Sequence, residues 1–208
     1  MRNPSLMLVT VLFLLSACNG AKKPSDANFT AAINQYLETH GQACSLIGPS
    51  FPIDLPRSQS SNSPGTGAKL EALRQAGLVS ATDTMAVVHG MLDALRGSTP
   101  AQPVRRYTLT AEGQTYFREI PASLGSTSAF CYGQKAVDSI VQYAQSQTNS
   151  TQAEATYTYK IINLAQWAER PDVQQAFSDI QATVNGASKV HQIIGLQLTD
   201  KGWTVPGT

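Results

Sequence analysis

The sequence predicts an α+β fold, with helices packed on antiparallel hairpins and a sheet. Three observations predict it. Apolar residues recur at helical spacing in separate stretches. Runs rich in β-branched and aromatic residues fall between them, mostly in the second half of the 208-residue chain. Clusters of Gly, Pro, Asn and Ser punctuate both kinds of run.

The elements follow in order. Residues 19–27 are polar, carry Pro24 and lack periodicity, which predicts a short tether. Phe29, Ile33, Tyr36 and Leu37 then share one helical face, with Asp26 or Asn28 to cap the start and Gly41 to end it. Residues 50–67 hold three prolines and then turn serine- and glycine-rich, so a mobile loop is expected. Ala68 to Gly77 predicts a short helix, and Leu78-Val79 begins a strand. Met85 to Leu92 extends that strand or breaks from it, because its pattern tolerates either period. Residues 104–110 alternate as a strand, and Thr110 caps a short helix closed by Pro121.

In the second half, Val137, Ser139, Val141 and Tyr143 alternate with Asp138, Ile140 and Gln142, and residues 155–164 are rich in β-formers. A polar turn at 149–154 separates these strands. Ala165 to Val184 predicts one long helix, with Pro171 in the first turn of its second half and a stripe of Val173, Phe177, Ile180 and Val184. A long strand (189–199), a turn and a short last strand close the chain. The divisions are a leader (1–17), a tether (18–27), a helix-and-hairpin half (28–122) and a half with a small antiparallel sheet and one long helix (123–208). The two halves are open to being one domain.

The leader has its own chemistry. Arg2 is the only charge among the first twenty residues, Leu6 to Leu15 is nearly all apolar, and Ser16-Ala17 are small. That is the plan of a secretory signal, and the run is well short of the ~20 apolar residues of a membrane span. Leu15-Ser16-Ala17-Cys18 resembles the lipobox of bacterial lipoproteins. The resemblance implies cleavage before Cys18 and acylation of both its sulfur and its new amino group. Asn19 in place of an aspartate implies delivery to the outer membrane. An ordinary secretory signal with an incidental cysteine is the competing reading.

Cys44 and Cys131 then remain as an even pair in an oxidising compartment, which predicts a disulfide that staples the fold. No Cys-x-x-Cys spacing points to redox work. Fifteen Lys and Arg, one of them Arg2 in the leader, face 14 Asp and Glu, so the cleaved chain is formally neutral. Nucleic-acid binders carry a basic excess and anionic-membrane binders a polybasic cluster. Neither is present, so no nucleic-acid partner is expected.

Leu73, Gly77, Leu78, Leu109, Thr110 and Gly113 match in order the end of a winged-helix domain, where a helix closing on Gly-Leu leads into a two-stranded wing that returns as Leu-Thr-x-x-Gly. The resemblance implies a winged-helix-like N-terminal half. Its DNA-binding role does not carry over, because the middle helix is replaced by the proline-rich loop and the chain is exported. Residues 109–115 and 198–204 share Leu-Thr, Gly and Thr at equal spacing. That echo is either a remnant of duplication or a common way to end a strand in a turn.

A search for chemistry finds little. His40, His89 and His191 stand at no metal-ligand spacing, and no Gly-x-Ser-x-Gly occurs. Glu169, Asp172 and Asp179 suit a solvated helix face. No enzyme, cofactor or metal is expected. The aromatics of the second half, with Tyr157, Tyr159, Trp167 and Trp203 foremost, are core residues by default and otherwise a binding patch. The chain as a whole, through Phe130-Cys131-Tyr132-Gly133 and the closing 198–203, resembles uncharacterised proteobacterial envelope lipoproteins. The expected function is a non-enzymatic docking or structural module. It is anchored in the membrane through Cys18 on the periplasmic face of the outer membrane, with another envelope protein as partner. A binder of a small apolar or lipid-like ligand is the alternative. An inhibitor role would need a protruding loop at 57–66.

Overall fold

The computed structural model describes residues 20–48, 50–57, 65–88, 100–122 and 125–207. The leader and Cys18 lie outside them, as do His89 and most of the 57–66 loop. The chain is more β-rich than an α+β arrangement with a long helix: strand outweighs helix, 45% to 31%, and the main feature is a curled antiparallel half-barrel sheet. That overturns the expected fold class.

Helix α1 (Asp26–His40) starts at Ser25, whose hydroxyl accepts from Asn28 N at 3.3 Å, rather than at Asp26 or Asn28. Its apolar face buries Phe29, Ala32, Ile33 and Leu37. Strand β1 (Gln42–Gly48) follows directly. Strand β2 (Ile53–Pro56) stands where a mobile loop was expected, because the extended backbone that proline favours suits a short strand. Helix α2 (Thr66–Gln75), strand β3 (Val79–Ala86) and strand β4 (Gln102–Leu109) come next, and β2, β4 and β3 form a three-stranded sheet in that order. Helix α3 (Ala111–Tyr116) is capped by Thr110 as expected. It ends before Pro121, which lies within strand β5 (Phe117–Ala122).

The larger sheet has six strands. Strand β6 (Gly125–Gln145) pairs with β1, with β5 and with β7 (Gln152–Ile162), and the order continues through β8 (His191–Thr199) to β9 (Gly202–Thr204). The sheet is therefore not confined to the second half of the chain. Its curl has a visible cause: the β1–β6 and β6–β7 ladders each carry two register shifts. Each shift inserts a residue on one strand, bending it and raising its twist. In β6 the inserted positions fall around Asp138 and Val141, so Val137, Ile140 and Tyr143 pair with Tyr159, Tyr157 and Ala155. The expected strict alternation at 137–143 is broken for that reason.

The long helix expected over 165–184 is three pieces: a 3-10 turn (Gln166–Glu169), α4 (Pro171–Ala176) and α5 (Ser178–Gly186). Phe177 breaks it with φ −122° and ψ 87°. Val173, Phe177 and Ile180 are nonetheless fully buried, since each piece turns the same residues inward.

Two hydrophobic clusters form the core. One gathers α2, α4, α5, β1 and the three-stranded sheet around Phe130, Tyr132 and Trp167. In the other α1 packs on β6 and β9, and Ala153, Ala155, Tyr157, Tyr159 and Leu196 of β7 and β8 complete the cluster.

Candidate functional site

Cys44 and Cys131 face each other in the β1–β6 register and form the disulfide, with a sequence separation of 87 residues. The bond stitches the strand after α1 to the longest strand of the sheet. Gln134 adds to the same junction, its side-chain amide donating to Leu37 O, and Lys135 N donates to Gly41 O at 2.7 Å. Asn34 Oδ1 accepts from Val137 N at 2.8 Å, where β6 runs on past the end of β1.

Tyr157, Tyr159, Trp167 and Trp203 are all core residues, none more than 7% exposed. They do not form one group: Trp167 belongs to the first cluster and the other three to the second. Burial pushes the Tyr157 and Tyr159 phenols up, so both stay neutral. The Tyr159 hydroxyl donates to Thr183 O at 2.8 Å.

Several ionisable side chains have local partners. His40 stacks on Tyr36 at 4.2 Å, and its Nδ1 is 3.1 Å from Tyr36 O. His191 is exposed at the start of β8. The Arg170 guanidinium holds the Asp172 carboxyl below its ordinary range at 2.9 Å. Arg106 of β4 makes a two-pronged pair with Asp54 of β2 at 2.7 Å. Among the described residues no three His, Cys, Asp or Glu side chains gather as a metal site.

The Leu-Thr-x-x-Gly echo resolves into two different devices. At the first copy, the Thr110 hydroxyl accepts from Gly113 N at 3.0 Å and donates to Gly77 O at 2.7 Å. A Cβ on Gly113 would fall 1.8 Å from Leu78 O, so only glycine lets α3 sit on the Gly77-Leu78 backbone. At the second copy, Thr199 donates to Gly202 O at 2.8 Å across a hairpin turn in which Gly202 has φ 123°. One motif caps a helix and the other closes a turn.

Two surface features carried no pattern in the sequence. Strand β9 pairs only with Gln197, Leu198 and Thr199, so no strand lies beyond His191–Leu196 of β8 among the described residues. Val190 and Ile193 are exposed there, at 45% and 68%. The other is the docking of residues 20–24 on the sheet, where Trp203 Nε1 of β9 donates to Lys22 O. A cavity of about 350 Å³ opens to solvent at the end of the β6–β7 hairpin, lined by Ala144, Gln145, Ser146, Gln152, Ala153 and Glu154. Comparison of the chain with protein-family models, curated proteins and solved structures gives no match.

Proposed function

We propose that the chain is a lipid-anchored lipoprotein on the periplasmic face of the outer membrane, and acts as a non-enzymatic docking module for another envelope protein. The observation that carries the docking reading is the edge of β8, beyond which no strand lies among the described residues. An unpaired edge offers N–H and C=O groups to an extended segment, and the exposed Val190 and Ile193 beside it supply apolar contact. The apolar leader, Leu15-Ser16-Ala17-Cys18 and the Cys44–Cys131 disulfide support the envelope location, since such bonds persist where the surroundings oxidise. The small-ligand alternative draws less support, because the 350 Å³ cavity is open and lined by three Gln or Glu side chains.

A photo-crosslinking residue placed at Ile193 in cells tests the docking reading. A discrete protein adduct from position 193 and none from the exposed Met85 of β3 is expected. No adduct at 193, with an apolar molecule co-purifying, would move the function to the ligand reading. Separately, Cys18→Ala abolishes incorporation of labelled palmitate; continued labelling would refute the anchor.

A further inference from the structure

The stretch that reads as slack in the sequence is fastened to the domain. Residues Gly20–Lys23 form a turn closed by Lys23 N donating to Gly20 O at 3.3 Å. The Asn28 side-chain amide, on α1, donates to Gly20 O at 2.7 Å and to Lys23 O at 2.8 Å. From β9, Trp203 Nε1 donates to Lys22 O at 3.1 Å, and from β6 the Tyr143 hydroxyl donates to Pro24 O at 3.4 Å. Gly202 lies so close below that a Cβ there would sit 3.1 Å from Ala21 O. Underneath, the Phe29 ring meets Tyr143 and Trp203 edge-on at 4.8 and 5.0 Å. Three elements therefore converge on five residues and make them a strap.

We propose that this strap holds the β8–β9 turn and the end of β6 against the bilayer surface, so that the domain rests on the membrane in one orientation. The proposal rests on acylation of Cys18. The length of chain decides it. A free tether of ten residues reaches about 35 Å, whereas the two steps from Cys18 to Gly20 span at most about 7 Å. That is comparable to the headgroup layer, about 5–8 Å on each side of the hydrocarbon. The side chains around the strap suit that surface. Lys22, Lys23 and Lys201 are exposed, and Tyr143 is 40% exposed with its hydroxyl bonded to the strap. Asp26 and Asp200 stand among the lysines, so the short leash, more than charge, sets the contact.

The test uses full-length acylated protein in phosphatidylethanolamine–phosphatidylglycerol vesicles, with the acyl mass on Cys18 verified for each sample. A fluorophore is attached to Lys201→Cys, or to Thr82→Cys on the three-stranded sheet, and quenched by headgroup spin-labelled lipid. Quenching several-fold stronger at position 201 than at 82 is expected. Asn28→Ala, which removes two of the strap's bonds, and independently Tyr143→Phe, which removes one, each reduce the difference. Equal quenching at both positions on acylated protein overturns the proposal and leaves the lipoprotein reading intact. Absence of the acyl mass overturns that reading and the proposal together. Protection of position 201 in native membranes but not in vesicles overturns it in favour of a partner protein.

Discussion

At Gly113 the fold depends on a missing side chain. The motif of Thr110 and Gly113 is legible in the sequence, but its reason, contact between α3 and the Leu78 carbonyl, is tertiary. Gly113→Ala is expected to cost about 3 kcal/mol or more, because an overlap with backbone cannot be relieved by a rotamer change. Gly195→Ala, where a Cβ meets nothing within 4 Å, is the matched control and loses nothing measurable in urea unfolding. Ion pairs act more gently. The Arg106 hydrogen bonds hold the Asp54 carboxyl below its ordinary value of 3.8, outweighing the upward push of burial. Asp172 beside Arg170 and Glu71 beside Arg74 are shifted the same way. A depressed folded-state pKa contributes stability in full above the unfolded value, lost as pH falls through the folded one. Stability should therefore decline below about pH 4, modestly, because these groups are partly exposed. Arg106→Met should shrink the stability difference between about pH 7 and about pH 3; an unchanged difference would remove Asp54 from the account.

Among the elements, β1 and β6 decide most. The disulfide closes an 87-residue span, for which the chain-entropy model gives about 4–5 kcal/mol. Cys44→Ser with Cys131→Ser should lower the melting temperature and make β1 the first segment to become protease-sensitive; an unchanged midpoint would show that packing alone holds it. The disulfide was legible because the leader predicts export, and an even cysteine pair in an oxidising compartment has few other uses. Strand β1 itself was missed: seven residues with only Ala43, Ser45 and Ile47 inward carry a faint period-2 signal. β6 misled in the opposite way. Val137, Ile140 and Tyr143 pair with alternate residues of β7 yet are three apart, because bulges insert residues, and an insertion leaves no mark on composition. The break at Phe177 is hidden likewise, since the apolar stripe continues across it.

For the molecule as a whole, the proposed activity lies on surfaces rather than in a catalytic cleft. Ile193→Lys should leave stability within about 0.5 kcal/mol of the parent, as exposed substitutions do, while removing the crosslinked partner. Loss of the fold instead would show that the β8 edge serves packing. The aromatics that stood out in the sequence became core because each cluster needs large rings to fill it, and no patch of the four survives on the surface. What the sequence by itself determined is local: the helix α1 and its end at Gly41, the Thr110 cap, the turn between the last two strands, and the pairing of the cysteines. These follow from periodicity, capping chemistry and elimination among three cysteines. Only the tertiary structure decided that β1 joins a curled sheet, that no strand lies beyond His191–Leu196 of β8 among the described residues, and that residues 20–24 are fastened down. Each depends on contacts between residues far apart in the chain, where Trp203 meets Lys22 and Cys44 meets Cys131.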